Sequence, residues 1–200
     1  MGVRLRRNLD VVAWADLAVK RPSLVLLGTL LLAGCSALGG GSTVGSLGTY
    51  TPDAHQCSPM RGATSLIEGS NDLQNAGTDP VVITKVELVH AEGFTLSSAR
   101  LGPIGHQGKH GTLIMGVQPG GAEPAFQWMV DESVPALGAV IRPGQDVNLL
   151  LFLHAPHSNG SMMPPRVTYL ENGNTRVWNG GETLTTVAGS KCRRNFTAPS

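Results

Sequence analysis

The stretch "RPGQDVNLLLFLHA" (142–155) decides the fold class, because it is the most apolar run of the chain beyond its N-terminal segment. Pro143-Gly144 supplies turn chemistry, and Val147 to Leu153 then follow almost without a polar residue. A strand that is apolar on both faces must be covered on both faces. We therefore predict that residues 142–155 form the central strand of a β-sandwich.

The flanking segments alternate between apolar and polar residues with a period of two, which is typical of half-buried strands. In "PVVITKVELVH" (80–90), Val82, Val86 and Leu88 are predicted to share one face, opposite Lys85. Weaker strand patterns occupy residues 65–75, 93–101 and 182–188.

The clearest hairpin is "RVTYLENGNTRVWNG" (166–180), in which Asn172-Gly173 is the favoured pair for a type I′ turn. Together the segments make about seven strands at regular spacing, without a strong helix pattern. The predicted fold is therefore all-β: a single antiparallel β-sandwich of immunoglobulin-like architecture.

The N-terminal region contains a second apolar run, "LVLLGTLLLA" (24–33). It has about ten residues, whereas a spanning helix needs roughly twenty. Lys20-Arg21 precede it, as expected of a secretory signal peptide.

The next residues, Leu32-Ala33-Gly34-Cys35, resemble the lipobox of bacterial lipoproteins. The resemblance covers about the first 35 residues, and it implies that residues 1–34 are removed and that Cys35 becomes the lipidated first residue. Such a protein is anchored to the cell membrane by lipid and faces its extracytoplasmic side. The alternative is a buried helix with Cys35 in a core. Translation from near Val19 would leave a more compact signal.

Residues 35–56 are rich in Gly, Ser and Thr and are predicted to form a flexible tether with a reach of roughly 25 Å. An ordered first strand is the alternative. The predicted folded domain spans residues 57–192, and a tail of residues 193–200 follows. Cys57 and Cys192 lie at the two ends of that domain, and in an exported protein such a pair favours a disulfide. Two free thiols or a metal pair are the alternatives.

Composition argues against a nucleic-acid partner. Without residues 1–34 the chain keeps ten Lys and Arg (15 − 5) and twelve Asp and Glu (14 − 2), a formal charge of −2. A near-neutral domain without a basic cluster lacks the electrostatic footprint of nucleic-acid binding.

One stretch suggests metal chemistry. His154 and His157 precede Met162 and Met163 in "HAPHSNGSMM" (154–163), and imidazole with thioether suits copper. Solvated or packing roles are the alternative for all four residues.

The segment 102–141 is irregular and rich in Gly and Pro, and it carries Phe126 and Trp128. Such an insertion is either a covering loop or a binding loop. No GxSxG, Ser-x-x-Lys or HExxH motif occurs. His90 at the end of a strand could pair with Asp or Glu across the sheet, and the alternative is a histidine whose hydrogen bonds are satisfied locally.

The sequence therefore predicts a non-enzymatic, membrane-anchored lipoprotein that needs no cofactor. Its domain would bind or scaffold an envelope protein or a small ligand through the loops 102–135 and 154–165. The alternative function is copper binding in the extracytoplasmic space.

Overall fold

The computed structural model describes residues 45–48, 54–106, 112–113, 115–157 and 159–192. The predicted signal peptide, the lipobox residues Leu32 to Gly34, Cys35 and the C-terminal tail lie outside these residues. Within them, no helix is both long enough and apolar enough to cross a membrane.

The strands are numbered in chain order: β1 (Leu47–Gly48), β2 (Ala54–Pro59), β3 (Ser65–Asn75), β4 (Val81–Glu92), β5 (Thr95–Pro103), β6 (Gly105–His106), β7 (Thr112–Leu113), β8 (Gln118–Pro119), β9 (Val134–Pro135), β10 (Val140–Ile141), β11 (Asp146–His154), β12 (Gly160–Glu171), β13 (Asn174–Asn179) and β14 (Glu182–Val187). One short helix, α1 (Gln127–Asp131), lies between β8 and β9.

Two sheets stack to form the domain. Sheet A has the order β1-β3-β11-β5-β9, with β8 also paired to β3, and sheet B has the order β10-β4-β12-β14-β2, with β13 also paired to β12. All seven predicted strands are present, and the predicted all-β, immunoglobulin-like sandwich is confirmed. One pairing departs from the antiparallel prediction, because β2 runs parallel to β14.

The central strand β11 is covered on both faces, as its apolar sequence predicts. Leu149, Leu151 and Leu153 belong to the core cluster between the sheets, together with residues of β4 and β12. Leu150 points to the other face of sheet A, where it packs in a second cluster with Met115 and other side chains of the segment 115–130. That segment is therefore a cover for sheet A.

The hairpin between β12 and β13 has the predicted turn. Asn172 and Gly173 have φ angles of +51° and +75°, and Glu171 pairs with Asn174 across the turn. Positive φ at both central residues is the property of a type I′ turn.

Two predicted boundaries are wrong. Residues 47–48 pair with β3, and β2 begins at Ala54, so the predicted tether of residues 35–56 contains two short stretches of edge strand. The Gly- and Ser-rich composition of residues 35–56 concealed these strands, because edge strands form by pairing with strands that lie far away in sequence. The predicted loop 154–165 is also too long, because β12 begins at Gly160 and carries its prolines at a register irregularity between Met163 and Arg166.

A second irregularity reverses the predicted face of Val82. Tyr169 pairs with Ile83, whereas the preceding Thr168 pairs with Lys85, so β4 carries one extra residue at this point. Ile83 is buried and Val86 packs against the core between the sheets. Because Val82 neighbours Ile83 on the strand, its side chain points to the outer face of sheet B.

The predicted disulfide is confirmed. Cys57 in β2 is bonded to Cys192, which lies 135 residues away, and their Cα atoms are 6.1 Å apart. Cys57 pairs with Thr185 across the ladder between β2 and β14. The bond therefore ties the edge strand of sheet B to the chain that leaves β14, and it does not connect the two sheets.

A cluster of polar side chains lies buried against β3. The Glu68 carboxylate accepts hydrogen bonds from Ser70 N (2.8 Å) and Asn71 Nδ2 (2.6 Å). The Ser70 hydroxyl donates to Gln56 Oε1 in β2 at 2.8 Å, and Glu182 N in β14 donates to Asn71 Oδ1 at 3.2 Å. These bonds join β3 of sheet A to the last two strands of sheet B.

Burial changes the acidity of the two carboxyl groups in this cluster. Glu68 is fully buried, and desolvation raises its pKa from 4.5 to about 7, although its hydrogen bonds favour the charged form. Desolvation also raises the pKa of Glu182, which is less deeply buried. Between pH 4.5 and pH 7 the folded protein therefore holds a proton at Glu68 that the unfolded chain releases.

Replacing both Cys57 and Cys192 with Ser should lower the free energy of unfolding by about 2–5 kcal/mol, because the open chain gains the entropy of a long loop. Denaturant unfolding followed by the emission of the buried Trp178 measures the change. Wild type treated with reductant should match the variant. An unchanged unfolding midpoint in both the variant and the reduced wild type would show that the disulfide does not restrict the unfolded chain.

Because the pKa of Glu68 is raised, the contribution of Glu68 to the free energy of unfolding should be greatest below pH 4.5, fall as the pH rises to about 7, and then level off. The fall amounts to on the order of 3 kcal/mol. Glu68→Gln does not titrate, so its free energy of unfolding should vary much less over this interval, with a residual slope from Glu182. Glu123→Gln, at an exposed position, should keep the wild-type slope. Equal slopes in wild type and Glu68→Gln would contradict the assignment.

Candidate functional site

An open groove of about 630 Å³ lies on the outer face of sheet B. This volume lies within the range of roughly 300–1,000 Å³ that is usual for small-molecule sites. The groove is lined by His55, Val89, His90, Met163, Pro164, Arg166, Asn179, Gly180, Gly181 and Thr183.

The alternation of β12 supplies one wall of the groove. Met162 is 1% exposed and belongs to the core, whereas the next residue, Met163, is 39% exposed and lies in the groove. Met163 pairs with Val89 of β4, and Arg166 pairs with Asn179 of β13. The side chains from three strands are therefore held by the backbone ladders and not by a loop.

The opposite wall depends on a glycine. Gly181 has a φ of +99°, and a Cβ at this position would overlap the Asn71 side-chain oxygen. Only glycine allows the chain to enter β14 so close to β3. In β14, Glu182 takes part in the buried polar cluster while its neighbour Thr183 lines the groove.

The charged groups of the groove favour an anion. Arg166 Nε donates to Asn179 Oδ1 at 3.0 Å, which uses one of the five guanidinium N–H groups. Among the described residues that line the groove, none is acidic. The nearest acid on the ladder, Glu87 opposite Arg166, forms an ion pair with Lys85 at 2.7 Å. An arginine beside apolar walls suits a carboxylate, sulfonate or phosphate on an apolar body.

Two histidines add polar groups to the same groove. His55 Nε2 lies 3.0 Å from the Thr185 hydroxyl. His90 has a φ of +45°, a backbone conformation that is uncommon outside glycine and that occurs often at binding sites. With the Met163 thioether, these imidazoles are the groove residues that could ligate a soft metal ion.

The structure does not bring the four predicted copper ligands to one site. His154 ends β11 in sheet A and His157 follows it, both exposed, whereas Met162 and Met163 lie in sheet B and point to opposite faces of β12. Across the described ranges, no group of three or more His, Cys, Asp or Glu side chains is placed to hold a metal ion.

Phe126 and Trp128, the predicted binding-loop residues, precede Met129 in the cover of sheet A. Both are half-buried and pack against the second core cluster. Trp128 Nε1 donates to Ala125 O at 3.1 Å. Of the two roles considered for this segment, the structure favours a cover.

Sequence reasoning missed most of the groove. His55 lay in the predicted tether, and His90 was considered only as a catalytic residue. Arg166 and Asn179 are polar residues of a hairpin, and such residues ordinarily face solvent. The available signal was the register of that hairpin, which places Arg166 opposite Asn179.

Comparisons with known proteins do not assign a family. No protein-family model and no curated protein matches the sequence. Among solved structures, the chain is similar to the ASH/PapD-like domain (PapD-like domain 7) of human CEP192, with a TM-score of 0.35 and 7% sequence identity. The alignment covers 82% of this chain and 100% of that chain. A similarity of this size carries no argument about function.

Proposed function

We propose that the protein is an envelope lipoprotein, anchored through Cys35, whose β-sandwich binds a small organic anion in the groove of sheet B. The domain works by binding and performs no catalysis. The ligand is a free small molecule or an anionic group of another envelope protein, and nucleic acid is not among the partners.

The N-terminal sequence supports the anchor. A charged pair at Lys20-Arg21, a short apolar run and Leu32-Ala33-Gly34-Cys35 occur in the order that lipoprotein signals require. The disulfide between Cys57 and Cys192 agrees with export, since such bonds persist in oxidising compartments.

The groove carries the binding proposal. Paired strands hold Arg166, two imidazoles and the Asn179 amide in a groove that apolar side chains also line, and a site on sheet ladders positions its groups more tightly than a loop does.

Copper binding is the second candidate function. The supporting observation is that His55, His90 and Met163 line one groove, a set different from the one that the sequence suggested. Imidazole and thioether ligands favour Cu(I).

Replacing Cys35 with Ala should abolish lipid labelling and release the protein from membranes, because the thiol is the attachment point. Metabolic labelling with a fatty acid and membrane fractionation measure both effects. Cys57→Ala is the matched control and should keep its label. Unchanged membrane retention of the Cys35 variant would refute the anchor.

Arg166→Met keeps an unbranched side chain and removes the charge. The affinity for anilinonaphthalene sulfonate, a fluorescent organic anion, should fall about tenfold or more, since a charge-assisted hydrogen bond contributes roughly 1.5–3 kcal/mol. Arg142→Met, at an exposed turn residue outside the groove, is the matched control and should bind as wild type does.

Equal affinity of wild type and Arg166→Met for this probe would contradict anion binding in the groove. Titration with Cu(I) distinguishes copper binding from anion binding. Saturable copper binding that is lost in His90→Ala but kept in Arg166→Met would replace the anion by a metal ion as the ligand.

A further inference from the structure

The outer face of sheet B carries an apolar row at the end opposite the groove. Val140 of β10 pairs with Val82 of β4, which in turn pairs with Leu170 of β12. Residues paired directly across neighbouring strands project from the same face. Val140 is 52% exposed and Leu170 is 37% exposed, so the row lies open to the surroundings.

Two further apolar side chains extend this row. Val177 of β13 pairs with Thr168, two residues before Leu170, and is 48% exposed. Leu137 is 71% exposed in the turn before β10, and the next residue, Gly138, donates its N–H to Ile83 O at 2.8 Å. We call these five residues the apolar end: Val82, Leu137, Val140, Leu170 and Val177. Single exposed apolar residues are ordinary, whereas a contiguous group indicates a contact surface.

The described chain begins beside the apolar end. Ser46 O accepts a hydrogen bond from Ala76 N at 3.0 Å, and Leu47 N donates to the Tyr169 hydroxyl at 3.4 Å. A Cβ on Gly45 would overlap that hydroxyl. Tyr169 points to the inner face of sheet B, opposite to Leu170. Leu47 pairs with Asn75, whose side-chain amide donates to the carbonyl of Ile141 beside Val140, so the chain enters the domain at the same end of the sandwich as the apolar row.

Chain length limits how far this entry point can be from Cys35. Gly45 follows Cys35 by ten residues (45 − 35 = 10). A fully extended chain of that length spans at most about 35 Å. The first strand begins at Leu47, inside the predicted tether of residues 35–56, so the segment between Cys35 and the domain is shorter than predicted. A lipid on Cys35 would therefore keep the entry point close to the bilayer.

We propose that the apolar end is a second membrane contact, which inserts its side chains among the lipid headgroups next to the anchor. The inference rests on the proposed lipid attachment at Cys35. A lipid surface is the partner that the structure favours, because the apolar side chains cluster at the end where the chain enters the domain. Attraction to anionic lipid is not required, since the chain without residues 1–34 carries a formal charge of −2.

This contact orients the groove. Along β4, Val89 of the groove lies seven positions beyond Val82 of the apolar end, roughly 23 Å at the usual strand rise, whereas in β13 Val177 lies only two positions from Asn179 of the groove. With the apolar end on the bilayer and the strands running away from it, the part of the groove around Val89 is held off the lipid surface.

The cysteine chemistry of the mature chain makes the test selective. Cys57 and Cys192 are bonded to each other, and the proposed lipid occupies Cys35, so one introduced cysteine is the single free thiol. Leu137→Cys and Val177→Cys place a nitrobenzoxadiazole label at the apolar end. His157→Cys, an exposed residue beyond the far end of β11, is the matched control.

The full lipidated protein is reconstituted into phosphatidylcholine vesicles that contain acyl-chain nitroxide lipid. We expect strong quenching of the label at positions 137 and 177 and none at position 157. Adding Leu137→Glu and Val140→Glu to the Val177→Cys protein should abolish the quenching at 177 while the protein still floats with the vesicles.

The outcomes separate this inference from the anchor. Flotation with vesicles but no quenching at 137 and 177 overturns the membrane contact, leaves the anchor intact and indicates that the apolar end docks a protein. Failure of the protein to float overturns the anchor and the membrane contact together.

Discussion

The structure depends on covering both faces of β11. Its alternating leucines enter two different clusters, so one face requires sheet B and the other requires the segment 115–130. Burial of each large apolar side chain contributes about 1.5–3 kcal/mol, so neither face can be left in water. This requirement fixes the two-layer architecture and assigns Phe126 and Trp128 to packing. The outer face of sheet B remains open, and both proposed contact surfaces lie there.

The buried polar cluster restrains the same architecture where β3 meets β2 and β14. Glu68, Asn71 and Gln56 could not be buried without partners, and their hydrogen bonds reach from β3 to β2 and β14. The disulfide holds β2 in that position. The entry to β14 at Gly181, which shapes one wall of the groove, follows from the contact with Asn71. The shape of the groove therefore depends on buried hydrogen bonds that lie outside the groove.

The two ends of the outer face of sheet B differ in chemistry. One end presents Val140 and Leu170, whereas the other presents Arg166 between imidazoles and an amide. The ion pair between Lys85 and Glu87 lies between them. In the proposed lipid-anchored protein, the apolar end would lie on the side of the anchor, and the polar groove would continue from it along the same face. The proposed binding function and the proposed orientation thus use one continuous face.

The sequence by itself determined the elements whose signal is local. The period of two in β4, the Asn172-Gly173 turn and the two-sided apolar run of β11 are visible within a dozen residues, because pleat and turn sterics act over that range. The cysteine spacing and the predicted export signal likewise indicated the disulfide, which the structure contains. Only the tertiary structure decided what depends on pairing between distant strands. The strand at Ala54 exists because β14 offers an edge, and Val82 faces outward because β4 carries an extra residue opposite β12. His55 and Arg166 meet in one groove for the same reason: register between strands far apart in sequence is set by packing, and no local pattern records it.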